Sequence, residues 1–439
     1  MPQDQVPSRT IQPLRSRAFV ANKITRALPN QVATAEKEKE VRAKSPDPRR
    51  KVEDLTEGHW YTWVLAWLKA TFGHWTKHAL PPLSGAPNSA IYSLPDKCLI
   101  GIAADWGSGT TPAIRVAEGI RSLDPDVTIH MGDVYFAGEA EEYRDIFVGN
   151  PPETDGSWPR GKRQPQGPND ALPSYALNGN HEMYSGGFGY FDGALKALRQ
   201  KTSYFALENQ HWRIVALDTG YTTPRNGVAQ LFTDLLFRMS NGLTDENVNW
   251  LKQHVFADPQ DKRPVILLSH HQPFSAFERD YPKLVGQVGE YLDRVVLWFW
   301  GHEHKLALFA AAPVSGSKFK VRGRCIGHGG MPSAPKFSPT RDPGRKYLVV
   351  TPVEGRGLPD ESASKTVYSY CGWITLNLEG PELRVRYYEE DPNQSPAEPL
   401  LEEVWTTDDG GACKGRIEGS LNQTSLVVRS PHSLADLVQ

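Results

Sequence analysis

The sequence predicts a layered α/β domain over about residues 97–390. Two observations predict it. Short β-branched and aliphatic runs alternate through this region with segments of helical spacing, the order that builds sheets covered by helices. Five short polar motifs each follow an apolar run directly, as loops leaving strand ends do.

Taken along the chain, Leu99 to Ala104 reads as a strand and Pro112 to Leu123 as a helix with proline in its first turn. Val127 to Met131 is a strand, Glu139 to Val148 a helix and Tyr175 to Leu177 a short strand end. Further strands fall at Arg213 to Leu217, Val265 to Leu268 and Val295 to Trp300, with a helix at Glu246 to Phe256. Tyr368 to Asn377 and Leu383 to Tyr388 alternate like a hairpin around Glu379 and Gly380. Asn150 to Ala171, rich in Pro, Gly and charge, reads as an inserted surface loop, and Gly316 to Glu361 contains similar stretches.

The flanks differ from this core. Residues 1–54 hold few aromatics and many charges, which predicts a disordered basic tail. Residues 55–96 hold an amphipathic helix and a linker. From Thr56 to Leu80, Trp60, Trp63, Val64, Trp67, Leu68, Phe72 and Trp75 recur at helical spacing before Pro81 and Pro82 end the run. Docking against the main domain is the plain role for that helix, and peripheral contact with a membrane or a protein is its rival. Beyond Asp391 the composition turns to Pro, Glu, Gly and Ser, which predicts a weakly ordered tail over 391–439.

The 439 residues carry 49 basic and 51 acidic side chains, a formal net charge of −2, so no global field recruits nucleic acid. No run approaches the roughly 18 consecutive apolar residues of a membrane-spanning helix, and no secretory signal is expected at the N-terminus. The four cysteines are scattered without a CxxC pair, which points to a reducing, cytoplasmic compartment. The acid-free basic stretch from Gln5 to Ala35 would suit an organellar transit peptide if the source is a eukaryote.

The five motifs are Asp105, Trp106, Gly107; Gly132, Asp133; Gly179, Asn180, His181, Glu182; His270, His271; and Gly301, His302, Glu303, His304. Loops leaving the carboxyl ends of strands converge on one crevice, and glycine beside Asp133, Asn180 and His302 permits the turns that aim those side chains there. Carboxylate, amide oxygen and imidazole suit Fe, Mn or Zn ions. Two such cations would activate water and neutralise the charge on a phosphoester.

These motifs resemble the calcineurin-like metallophosphoesterases, most closely their purple acid phosphatase-like branch. Asp105-Trp106-Gly107 stands where the superfamily commonly has DxH, and the GNHE and GHEH motifs match that branch. The resemblance covers about residues 97–390 and implies a four-layer α/β/β/α sandwich. It implies that Asp105 and His304 hold one metal ion, that Asn180, His271 and His302 hold the other, and that Asp133 bridges them. The implied reaction is hydrolysis of a phosphomonoester or phosphodiester, a small-molecule substrate, by a hydroxide activated at the dinuclear centre, with His181 protonating the leaving alkoxide.

Several assignments stay open at this level. Tyr135 lies one place earlier after Gly132-Asp133 than the metal-binding tyrosine of purple acid phosphatases; either it still reaches the first metal or that site lacks it. His271 is favoured over His270 because Pro273 follows it by two residues, the family's spacing. His328, in the run Gly327-His328-Gly329-Gly330 that reads as a flexible loop or a plain turn, and Asp218, at the end of a strand, are candidates for substrate contact. Glu182 reads as a turn residue or a support behind the ligands rather than a base, and His130 as packed in its strand. The rival function is a membrane- or partner-docked regulatory module with a structural or degenerate metal site, for which the displaced Tyr135 argues.

Overall fold

The computed structural model describes residues 76–83, 90–149, 156–223, 241–359 and 367–439, all within one unit spanning Arg49–Gln439. The expected tail 1–54 and most of the tryptophan-rich helix lie outside the described residues. Strands are numbered β1 to β18 along the chain.

One sheet grows from β2 (Lys97–Ala103), whose Cys98, Ile100 and Ile102 face one core while Ala103 faces another, as alternation along an extended chain requires. Parallel β3 (Val127–His130) and β4 (Ser174–Ala176) lie on one side. Antiparallel β14 (Gly372–Glu379), β15 (Glu382–Glu389), β16 (Leu401–Thr407) and β17 (Cys413–Glu418) complete the order β17-β16-β15-β14-β2-β3-β4.

The second sheet is built on parallel β6 (Arg213–Leu217), β7 (Val265–Ser269) and β8 (Val295–Trp300). With β1 (Ile91–Ser93), β5 (Phe205–Glu208), β9 (Leu306–Pro313), β10 (Lys320–Ile326), β11 (Leu348–Pro352) and β18 (Leu426–Val428) it takes the order β1-β5-β6-β7-β8-β10-β9-β11-β18. A two-residue ribbon pairs β12 (Leu358–Pro359) with β13 (Val367–Tyr368).

Ile100, Ile102, Ile129 and Leu376 of the first sheet meet Ile214, Leu268, Leu297 and Phe299 of the second in one buried core. Each fully buried side chain of this kind contributes about 1.5–3 kcal/mol, far more than any exposed ion pair. The outer face of the first sheet, with Trp373 and Tyr388, is covered by the helix Thr111–Ser122 and by Tyr143–Gly149 and Gly189–Ala194. The outer face of the second, with Trp298 and Trp300, is covered by Asp245–Trp250, Leu251–Val255 and Pro282–Val288. The result is the predicted α/β/β/α sandwich.

Three sequence expectations need correction. Residues 391–439 are not a loose tail: Leu401, Trp405, Leu426 and Leu437 enter the inter-sheet core, and β18 pairs with β11. Glu403 of β16 also forms a fully buried, two-pronged pair with Arg324 of β10, at 2.8 Å on each prong. Short strands separated by Pro- and Gly-rich turns dilute the composition, which hid them. The insert at 150–171 likewise anchors itself, since Trp158 is buried against Trp106 and Phe147. Gly316–Glu361, read as loop-like, contributes β10 and β11.

Of the expected helix 56–80, residues 76–80 are described and are not helical. They dock on the domain instead. His78 stacks on Phe191 with ring centroids 4.8 Å apart, its N–H donates to Gly186 O at 2.9 Å, and its carbonyl accepts from Tyr221 Oη at 2.8 Å. Among the described residues no helix is long and apolar enough to cross a membrane.

Candidate metal centre

Strand register brings the motifs together. Ala103 pairs with His130 and His130 with Ala176, so the loops carrying Asp105, Asp133 and Asn180 leave one sheet at the same level. Leu217, Ser269 and Trp300 are level in the other sheet, so Asp218, His270, His271 and His302 leave it together. The two edges are stitched to each other. Gly329 N donates to Ala104 O at 3.0 Å, and His302 N donates to Asp105 Oδ2 at 2.8 Å.

Backbone strain concentrates here. Asp105, Asp133, His302 and His304 have φ of 58°, 69°, 69° and 46°, four of the seven non-glycine residues with positive φ among those described. Each such residue costs on the order of 1–3 kcal/mol and persists only where its surroundings hold it, as functional sites do. The glycines serve two different needs. Gly132, at φ 95°, needs the left-handed region. Gly179 and Gly301 supply room, because a Cβ on Gly179 would collide with Asp133 Oδ1 and one on Gly301 would lie 2.5 Å from Asp105 Oδ2.

On one side of Asp133 the Tyr135 hydroxyl donates to Asp105 Oδ1 at 2.9 Å, lies 2.9 Å from His304 Nε2, and is 3.4 Å from Asp133 Oδ2. The tyrosine that sits one place early in sequence therefore reaches the cluster. Burial, followed by the nearby Asp105 carboxylate, pushes its hydroxyl well above the ordinary range.

On the other side His270 Nε2 lies 3.2 Å from Asp133 Oδ2 and 3.0 Å from Asn180 Oδ1, while its Nδ1–H donates to Met131 O at 3.0 Å. Burial lowers this imidazole, but Asp133 outweighs it and lifts the group to about 10. Asp133 answers in kind: burial raises its carboxyl, and His270 and His181 hold it well below the usual range.

His271, favoured by the proline spacing, stands beside His270 with different partners. Its Nδ1 is 3.0 Å from Thr219 Oγ1, and its Nε2 accepts from Asn241 Nδ2 at 2.8 Å. The structure thus turns His270, the alternative of the pair, toward Asp133 and Asn180. Donor atoms of Asp105, Asp133 and His270 lie within 4.8 Å of one another, as do those of His270, His271 and His302. His302 Nε2 is 3.4 Å from Tyr281 Oη and 3.6 Å from Glu278 Oε2.

His181 donates its main-chain N–H to Asp133 Oδ1 at 3.0 Å, and its Nδ1–H donates to Phe136 O at 2.6 Å. Its Nε2 therefore faces the crevice, 3.8 Å from Asp133 Oδ2. Glu182 lies behind the cluster and accepts from Val134 N at 2.7 Å, Gly179 N at 2.8 Å, Tyr143 Oη at 2.9 Å and Asp133 N at 3.2 Å. One carboxylate thus ties the Asp133 loop to the Asn180 loop.

Two candidates are not brought into the cluster. Asp218 accepts from Tyr221 N at 2.9 Å and Asn178 Nδ2 at 3.2 Å, bracing the loop before Gly179. The His328 ring is buried against Gly372, 2.6 Å from where its Cβ would be, and burial lowers it to about 4. Conversely Asn241, Tyr281, Glu278 and Tyr184 border the site without being predicted. Tyr184 alone carried a readable signal, four residues after Asn180.

The donor chemistry fits divalent cations. His270 offers one nitrogen to two oxygen donors while a carbonyl holds its other nitrogen, the arrangement that fixes a histidine as a metal ligand. Carboxylate, phenol, amide and imidazole together suit Fe, Mn or Zn.

A two-sheet sandwich with this cluster at the strand ends defines a metal-dependent phosphoesterase fold. Residues 99–306 match the family model of the calcineurin-like phosphoesterases. That match and the candidate ligand groups support metal-dependent phosphoester hydrolysis as the general class of chemistry. No curated protein matches the chain.

Among solved structures it is similar to GAP50, the anchor in the inner membrane complex of Plasmodium, at 11% identity and a TM-score of 0.41, over 68% of this chain and 86% of that one. It is also similar to a predicted phosphoesterase of Streptococcus pneumoniae, at 10% identity and a TM-score of 0.24, over 73% and 98%. Vacuolar Protein Sorting 29 of Cryptosporidium parvum follows at 11% and 0.26, over 73% and 97%.

Proposed function

We propose that the protein hydrolyses phosphomonoesters or phosphodiesters at a dinuclear metal centre bridged by Asp133. The observation that carries this reading is the position of Asp133 Oδ2 between two donor groups, with Tyr135, Asp105 and His304 on one side and His270 and Asn180 on the other. His302 completes the second group, and His271 stands beside it.

Two cations held there would supply an activated water and neutralise the phosphoryl oxygens. The chain's own residues set the geometry. Asp105, Asp133, Tyr135 and His304 surround one position, and Asp133, Asn180, His270 and His302 surround the other. His181, tied at Nδ1 to the Phe136 carbonyl, presents Nε2 to the crevice, from which it passes a proton to the departing alkoxide. Tyr135 beside Asp105 and His304 supports the purple acid phosphatase-like reading, with iron at that position.

The test is metal removal. Chelator-treated protein should lose hydrolysis of 4-nitrophenyl phosphate and bis(4-nitrophenyl) phosphate and regain it with Mn²⁺, Zn²⁺ or iron. Full activity in metal-free protein would overturn the proposal.

A further inference from the structure

Asn180 can ligate a cation only through its amide oxygen, because the NH₂ group donates and has no lone pair to offer. A side-chain amide has nearly the same shape in either orientation, so some neighbour must distinguish its two ends. A hydroxyl oxygen that accepts from the nitrogen does so together with a group that faces the amide oxygen from the other side.

Asn180 opens the short helix Asn180–Tyr184, and helical geometry sets residues four apart on one face. Asn180 Nδ2 donates to Tyr184 Oη at 2.8 Å, and this leaves Oδ1 facing His270 Nε2 at 3.0 Å. The same tyrosine touches a second member of the site. Its ring packs against the His181 imidazole with centroids 4.8 Å apart, while Tyr135 packs on that imidazole with centroids 4.6 Å apart. His181 thereby contacts two tyrosine rings, with its Nδ1 on the Phe136 carbonyl.

We propose that Tyr184 is the positioning residue of this site, its hydroxyl orienting the Asn180 amide for the second metal ion and its ring fixing the plane of His181. This rests on the two-metal reading above. The two functions belong to different atoms of one side chain, so two substitutions separate them. Tyr184→Phe removes the hydroxyl and keeps the ring; Tyr184→Leu removes both.

The experiment titrates metal-free full-length wild type and both variants with Mn²⁺ by calorimetry, then measures hydrolysis of bis(4-nitrophenyl) phosphate at limiting and saturating Mn²⁺. Loss of a partner that orients a ligand weakens metal binding about 10- to 100-fold. Tyr184→Phe should therefore bind one Mn²⁺ as wild type does and the other about tenfold more weakly. Its kcat should fall at limiting Mn²⁺ and recover at saturation, with KM for the ester unchanged. Tyr184→Leu should keep a kcat deficit at saturating Mn²⁺, because His181 has lost its support. Wild-type Mn²⁺ affinities in Tyr184→Phe would overturn the inference while leaving the two-metal reading intact. Wild type that takes up no Mn²⁺ would overturn that reading and this inference with it.

Discussion

The Tyr135 hydroxyl lies 2.9 Å from His304 Nε2, although Tyr135 follows Asp133 by only two residues. The loop achieves this because Gly107 and Val134 form an isolated parallel bridge, and Tyr135 N donates to Gly107 O at 2.9 Å. The Asp133 loop is thus laid against the Asp105 loop, and the phenol is delivered to the Asp105 side of the cluster. Tyr135→Phe should weaken metal binding there by no less than the ~10-fold that a ligand's supporting partners contribute. In iron-loaded protein it should also abolish a visible absorption band, which absorption spectroscopy on wild type and variant checks.

Glu182 accepts from four donors, three of them main-chain N–H groups of the site loops. Truncation to alanine strands these buried donors, each at a cost of about 1–3 kcal/mol. Glu182→Ala should lower the unfolding free energy by roughly 3–5 kcal/mol, with some of the cost relieved by entering water. Urea denaturation of the metal-free variant and wild type measures this.

Arg324 and Glu403 form a fully buried pair that joins β10 to β16. Removing one partner leaves an uncompensated buried charge, so Glu403→Ala should destabilise the protein by about 3–5 kcal/mol. Deleting residues 400–439 should prevent folding altogether. A truncated chain that melts as wild type does would show that the C-terminal strands add nothing to the core.

His130 is enclosed by Trp106, Phe147 and Trp158, with ring centroids at 6.0, 5.2 and 5.0 Å. Burial lowers it from 6.5 to about 3 in the folded protein. Between those values the unfolded chain binds the proton and the folded chain does not, so stability rises with pH and is lost as pH falls from 6.5 toward 3. The slope from this one group approaches about 1.4 kcal/mol per pH unit. His130→Phe should flatten the acid limb of the stability–pH curve by that amount, measured by denaturant unfolding against wild type at each pH.

Much of this was legible in the sequence because strand exits announce themselves as an apolar run followed by a polar residue with glycine close by. Asp105, Asp133, Asn180, His302 and His304 were all found that way. Which ring of His270-His271 turns toward Asp133 was not, since adjacent residues at a strand end differ only in the direction each side chain leaves the backbone. Proline spacing chose His271; the bond from His270 to the Met131 carbonyl, which fixes the ring, crosses between sheets and has no sequence signature. Asn241, Tyr281 and Glu278 reach the site from loops whose composition carries no motif. The C-terminal strands escaped notice because Glu402 and Glu403 interrupt their apolar pattern, Glu402 pairing with Arg384 and Arg386 and Glu403 with Arg324.

The bridging role of Asp133 is tested most directly by metal content and hydrolysis measured together in wild type and Asp133→Asn. Wild type should bind two metal ions per chain and hydrolyse aryl phosphate mono- or diesters, and the variant should lose both properties. Wild type without stoichiometric metal, or a variant that keeps full activity, would contradict it.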